Sequence, residues 1–172
     1  MKYFTPALFA RQQNFDTAAM DAADADWEAA EERYEQRLQN LAPLIDPVLK
    51  RFEGILLHDA TVWGISRRED QFVIVLHKDI PPRDVVTLTY TLAGEPLLDH
   101  DALPPQFRSR GMQFEYDEFD VGQESGQPHF THSILFSNGW EIRLPFREVQ
   151  VMLAQPIYPL PPGQSPGKAR SA

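Results

Sequence analysis

The segment FTHSILFSNGWEIRLPF, residues 130–146, predicts a β-hairpin and is the most informative stretch of the chain. Asn138-Gly139 is the preferred dipeptide of a two-residue type I′ turn, and apolar residues alternate with polar ones on both sides of it. Two antiparallel strands are therefore expected here, and the rest of the fold is built outward from them.

The predicted turn also decides which hairpin side chains share a face. With a two-residue loop, Leu135 and Ile142 lie on a core face, and the opposite face carries His132 with Glu141 and Arg143. An imidazole, an acid and a base among apolar neighbours suit a ligand-binding groove, or only a cross-strand ion pair. These three residues are candidate binding residues.

Alternation with a period of two continues through the second half of the chain. In DVVTLTY, residues 84–90, the side chains of Val86, Leu88 and Tyr90 point one way and the threonines the other, as in a half-buried strand. The same pattern predicts seven strands, at residues 57–67, 71–78, 84–93, 112–121, 129–137, 140–146 and 148–154.

The strand MQFEYDEFDV, residues 112–121, changes phase midway. Its apolar residues can all face the core only if a β-bulge lies at Asp117-Glu118. Bulges redirect side chains and are frequent beside functional sites, so Tyr116 and Asp117 are candidate binding residues. The alternative is a bulge that only bends the strand.

Helices are predicted before the strands. The longest covers residues 17–41, Pro43 ends it, and a short helix follows from Asp46 to about Phe52. The apolar stripe of the helix at 17–41 has steps of three and four residues, and seven acidic residues occupy the other face of that helix. The stripe consists of Met20, Ala23, Trp27, Ala30, Tyr34, Leu38 and Leu41.

Helices followed by strands predict an α+β fold. We expect N-terminal helices packed on a mostly antiparallel sheet of about seven strands, which is either strongly curved or barrel-like. Residues 1–158 form a single domain in this prediction, and the proline-rich segment 159–172 is a disordered tail.

Composition excludes several classes of function. The 172 residues contain no cysteine, and the formal net charge of −9 disfavours nucleic-acid binding. No apolar run reaches the roughly 20 residues of a membrane helix, and no signal-peptide pattern begins the chain, so a cytoplasmic protein without membrane contact is expected. The acidity favours a basic protein partner.

The pair His58-Asp59 begins an apolar run and permits structural, binding and catalytic interpretations. Successive side chains of a strand diverge, so in an extended segment the pair would not share a metal ion, and we expect no metal and no cofactor. The structural interpretation predicts a hydrogen bond from His58 or Asp59 to the segment YDE, residues 116–118, or to nearby backbone. No enzyme motif accompanies the pair, which favours a non-enzyme.

Five stretches together resemble an uncharacterised bacterial family, a domain of unknown function. They are MKYFT at 1–5, LHDA at 57–60, LTYTL at 88–92, YDEFD at 116–120 and HSILFSNGWEIRLPF at 132–146. The resemblance covers nearly the whole chain except the tail, and it implies a bacterial cytosolic protein without indicating any catalytic residue.

Two functions follow as expectations. The first is a non-catalytic protein-binding module, immunity-like in that its acidic surface holds a basic protein. The alternative is a small-molecule-binding protein or weak hydrolase with a pocket inside the curved sheet, formed around His132, Glu141 and Arg143.

Overall fold

A computed structural model describes residues 1–13, 16–80, 83–108, 111–124 and 127–155, so the predicted tail lies outside the described residues. Two N-terminal helices precede a seven-stranded antiparallel sheet, which confirms the predicted α+β fold. The helices are α1 (Pro6–Gln12) and α2 (Thr17–Leu49). The strands are β1 (Thr61–Arg68), β2 (Gln71–His77), β3 (Val85–Leu92), β4 (Leu97–Asp99), β5 (Phe114–Glu124), β6 (Gln127–Phe136) and β7 (Glu141–Ala154).

The sheet has the order β1-β2-β3-β7-β6-β5, with β4 beside the first residues of β7. Over the described residues, the sheet is not closed into a barrel. Its two edge strands approach each other at one end only, where an isolated bridge joins Thr61 to Gln113. Of the two predicted alternatives, the sheet is therefore the curved one rather than the barrel-like one.

Strand β7 replaces two predicted strands, and β4 was not predicted. The register of β7 against β3 skips Arg147, so a bulge lies where the prediction placed a break between residues 146 and 148. Pro145 lies inside the strand opposite Thr131. The three-residue β4 is too short and too exposed to show an alternating pattern.

Helix α2 runs through Pro43 and Pro47 to Leu49, so the predicted end at Pro43 was wrong. Each proline removes one N–H donor, but the last turns also bury Ile45 and Val48 in the core, and this packing outweighs the loss. No helix among the described residues is long and apolar enough to cross a membrane.

The two faces of the sheet bury different parts of the helices. In the C-terminal half of α2, Ile45 belongs to the largest hydrophobic cluster, together with Leu88 and Ile134 of the sheet. On the opposite face, Phe9 of α1 belongs to a smaller cluster with Leu135. Most of the predicted α2 stripe is buried or half-buried, whereas Met20 is exposed.

The hairpin between β6 and β7 has a three-residue loop instead of the predicted two-residue turn. Phe136 donates its N–H to the carbonyl of Trp140, and Ile134 pairs with Ile142. Gly139 has a φ of 96°, while Asn138 is not among the described non-glycine residues with positive φ. A type I′ turn needs positive φ at both central positions, so the loop is of the three-residue kind that ends in glycine.

Candidate functional site

A cleft of about 510 Å³ lies where α2, the segment after it and β5 meet. Its walls include four aromatic side chains, Phe4, Trp27, Phe52 and Tyr116. Trp27 and Tyr116 have ring centroids 4.2 Å apart, and Phe4 stacks on Trp27 at 4.9 Å. One side of the cleft is therefore a continuous aromatic surface.

A buried carboxylate holds Phe4 in this wall. Glu118 accepts hydrogen bonds from the backbone N–H groups of Lys2, Tyr3 and Phe4 at 2.7, 2.6 and 2.6 Å. Three such bonds compensate the cost of burying an ionised group. Glu118 thus fixes the N-terminal segment against β5 and completes the cleft.

Three carboxylates also line the cleft: Glu31 on α2, and Glu115 and Asp117 on β5. No lysine or arginine is among its lining residues in the part of the chain that the structure describes. Burial raises the pKa of Tyr116, and the negative charges of Glu115, Asp59 and Glu31 raise it further. The cleft is therefore a region of negative potential with aromatic walls.

The β5 bulge lies at Glu115, two residues before the predicted position. Phe114 pairs with Phe136 and Tyr116 with Leu135, so the ladder skips Glu115. A bulged residue is left out of the regular pairing, and its backbone groups can bond elsewhere. Here the carbonyl oxygen of Glu115 lies 2.6 Å from Nδ1 of His58, which confirms the predicted hydrogen bond from this pair to nearby backbone.

The pair His58-Asp59 lies in a turn, and β1 begins only at Thr61. Asp59 has a φ of 63° and donates its N–H to the carbonyl of Phe114 at 2.8 Å. The expectation that the two side chains diverge as in a strand is therefore wrong. Ligand atoms of His58, Asp59 and Glu115 all lie within 4.8 Å of one another.

Behind the cleft, Asp117 joins a buried network. His132 places Nε2 2.9 Å from Oδ2 of Asp117 and Nδ1 2.7 Å from the hydroxyl of Tyr90. The carboxylate of Asp117 can only accept, so Nε2 carries the hydrogen, and in neutral imidazole Nδ1 then accepts from the hydroxyl of Tyr90, whose pKa burial raises well above its ordinary value. The Nε2–H then donates to Asp117, which gives both ring nitrogens a partner.

The shifted hairpin register separates His132 from Glu141 and Arg143. His132 lies opposite Leu144 and is fully buried on the core face. Glu141 pairs with Leu135, on the other face, and accepts from Arg143 at 3.4 Å and from the amino group of Met1. The predicted shared face of these three candidates is therefore wrong, and no pocket can form around them together.

Comparison with models of known protein families and with curated proteins returned no match. The family resemblance of the sequence motifs therefore remains a prediction.

Among the predicted candidates, the structure brings His58, Tyr116 and Asp117 into one cleft, with Asp59 beside His58. Glu31 and Glu115 were not among the predicted site residues. The phase change in residues 112–121 was the available signal for Glu115. Glu31 carried no signal, because one acid on an acidic helix face resembles all the others.

Proposed function

We propose that this protein is a non-catalytic binding module that holds a basic protein by taking one of its arginine or lysine side chains into the cleft. The observation that carries this proposal is the lining of the cleft. It combines four aromatic rings and three carboxylates, and its described lining residues include no lysine or arginine. An immunity-like role, in which the basic partner is a toxin, is one form of this proposal.

The chemistry of the cleft suits both parts of a long cationic side chain. The apolar stem packs on aromatic surface, and the charged head gains from the ring faces and from nearby carboxylates. Glu31 is well placed for this role, because it accepts a hydrogen bond from Nε1 of Trp27 at 3.0 Å and so lies beside the aromatic wall.

The surface leading to the cleft is also acidic. Glu28, Glu31 and Glu35 follow one another at steps of three and four residues on α2, which places them along one side of the helix, and all three are exposed. Such a row attracts a basic segment from a distance and guides it toward the cleft, in a manner that salt weakens.

The buried network offers no alternative as a catalytic group. Tyr90 and His132 have no exposed surface, and their polar side-chain atoms already form hydrogen bonds within the network, so a substrate in the cleft cannot reach them. Only Asp117 of this network faces the cleft.

Tryptophan fluorescence tests the proposal directly. The substitutions Trp63→Phe and Trp140→Phe remove two of the three tryptophans, so that all tryptophan emission comes from Trp27. Titration with a short oligoarginine peptide should change the Trp27 emission to saturation, and the affinity should fall as salt is added. An oligoglutamate peptide should give no change.

A matched pair of variants tests the position of the bound cation. Glu31→Gln keeps the acceptor for Trp27 but removes a charge from the cleft, and should weaken oligoarginine binding several-fold. Glu32→Gln removes the same charge from the next residue of α2, which does not line the cleft. Equal weakening by both variants, or no saturable change in Trp27, would contradict the proposal.

A further inference from the structure

We propose that His58, Asp59 and Glu115 form a binding site for a first-row divalent cation such as Zn²⁺. An imidazole nitrogen and two carboxylate oxygens lie within 4.8 Å of one another, contributed by the turn before β1 and by the bulge of β5. This inference goes beyond the proposed function and stands without it.

The hydrogen bond of His58 selects the nitrogen that can bind a metal. The carbonyl oxygen of Glu115 can only accept, so Nδ1 of His58 carries the hydrogen. In neutral imidazole the other nitrogen, Nε2, then has a free lone pair. Protein metal sites commonly orient their histidines in this way, with one nitrogen donating to a carbonyl and the other on the ion.

The free nitrogen points toward the carboxylate of its neighbour. Nε2 of His58 lies 3.7 Å from Oδ1 of Asp59, which is too long for a hydrogen bond. Ligand atoms about 2.1 Å from a tetrahedral ion lie about 3.4 Å apart, so this separation is close to what an ion between the two requires.

The backbone around the three residues is fixed without an ion. Hydrogen bonds run in both directions between the two segments, since Asp59 donates its N–H to the carbonyl of Phe114 and Phe114 donates its N–H to the carbonyl of Ala60 at 2.9 Å. The side chains of His58 and Asp59 are 41% and 61% exposed, so they can move the remaining distance and an ion can reach them. Binding therefore requires side-chain rotation but no folding step.

The ligand set indicates the class of ion. Two carboxylates balance the charge of a divalent cation, and an imidazole ligand favours Zn²⁺, Ni²⁺ or Co²⁺ over Mg²⁺ and Ca²⁺, which prefer oxygen. Three protein ligands leave at least one position open. His58 and Asp59 also line a second cleft of about 230 Å³, so the ion would lie between the two clefts.

Calorimetric titration of the chain with Zn²⁺ should show one site per chain, with much weaker binding of Mg²⁺. The substitution His58→Asn keeps a donor near the Nδ1 position but removes Nε2, and should weaken Zn²⁺ binding by about tenfold or more. Asp59→Asn should also weaken binding, because it removes a carboxylate ligand. The turn should keep its conformation, because asparagine tolerates a positive φ. The control His100→Asn removes an exposed histidine outside the cluster and should have no effect.

Nitrogen NMR of the histidine side chains gives an independent readout. Zn²⁺ should shift the Nε2 resonance of His58 while its Nδ1–H remains, and should leave the resonances of His132 in place. The proposal is overturned if His58→Asn and His100→Asn weaken binding equally, if Zn²⁺ shifts several histidines together, or if no binding occurs at one ion per chain. Because oligoarginine is not used here, failure of this experiment does not affect the proposed function.

Discussion

Two histidines beside strand β5 each lie near an aspartate carboxylate, but one is buried and the other is exposed to solvent. His132 is fully buried, and its nitrogens meet the hydroxyl of Tyr90 and the carboxylate of Asp117 at 2.7 and 2.9 Å. His58 is exposed, with one nitrogen on a carbonyl at 2.6 Å and the other 3.7 Å from the carboxylate of Asp59. Both ring nitrogens of His132 therefore have hydrogen-bond partners, whereas Nε2 of His58 remains able to bind a ligand.

The difference follows from the cost of burial. A buried nitrogen without a partner is expensive, so the core around His132 provides a partner for each of its polar atoms. Water can solvate the free nitrogen of His58 at little cost, so that atom remains available to a ligand. Similar groups therefore serve stability in one place and binding in the other.

The largest expected effect is on stability. His132→Leu leaves the carboxylate of Asp117 and the hydroxyl of Tyr90 without their partner, and should lower the free energy of unfolding by about 3 kcal/mol. His58→Asn, at an exposed position, should change it by less than about 0.5 kcal/mol. Urea denaturation measures both, and similar losses in the two variants would remove the contrast between the two histidines.

A smaller effect is expected at alkaline pH. Burial, and then the charge of Asp117, raise the pKa of Tyr90 above its ordinary value of 10.0. The unfolded chain loses this proton near pH 10 while the folded chain retains it, so the stabilisation is complete below pH 10 and falls above it. One such tyrosine contributes a slope of about 1.4 kcal/mol per pH unit.

Urea denaturation at several pH values above 10 tests this assignment, with Tyr90→Phe as the variant. The slope of unfolding free energy against pH should be shallower in Tyr90→Phe than in the unmodified chain, by the about 1.4 kcal/mol per pH unit that one proton contributes. An identical slope would show that Tyr90 ionises in the folded protein, and that the network is more open to water than its burial indicates.

Asp59 provides a test of side chain against backbone. Its N–H anchors the turn, whereas its carboxylate is exposed, so Asp59→Ala should cost only about 1 kcal/mol, from the positive φ that alanine disfavours. Asp59→Gly should recover that loss, because glycine adopts this conformation freely. Thermal melts of both variants decide, and a large loss in Asp59→Gly would show that the carboxylate itself stabilises the fold.

The smallest expected effect is a change in titration. The charges of Glu115, Asp59 and Glu31 add to burial in raising the pKa of Tyr116. Asp59→Asn should therefore lower that pKa, and saturation of the unsubstituted chain with Zn²⁺ should lower it by more. Carbon NMR of the tyrosine rings measures the change, with Asp101→Asn as the control. An unchanged pKa in Asp59→Asn would place its carboxylate away from the ring.

Regular alternation and helical spacing predicted the helices-then-sheet order and most of the strands, because side-chain burial imposes those periods directly. The hairpin register was missed because Asn138-Gly139 fits two loops that differ by one residue. A signal was present: the apolar residues of both strands, such as Ile134 and Ile142, stand at even positions. Only the three-residue loop places them on one face.

The turn at residues 58 and 59 and the bulge of β5, which border the cleft, were beyond prediction for a different reason. Strand periodicity applied to residues 58 and 59 assumes an extended backbone, and a positive φ at an aspartate gives no sequence signal comparable to glycine. The position of the bulge was likewise undetermined, because the alternation of residues 112–121 permits it at more than one place. Both features depend on the contact between two distant segments.

The position of β7 in the sheet has a consequence for how the chain is synthesised. This strand joins β3 to β6, yet among the described strands it comes last in chain order, so it leaves the ribosome after both of its partners. At about 5–20 residues per second, the nascent chain spends roughly 1–4 s between completing β6 and completing β7. During that interval the edges of β3 and β6 have no partner, and they are the surfaces at which a chaperone would bind or aggregation would begin.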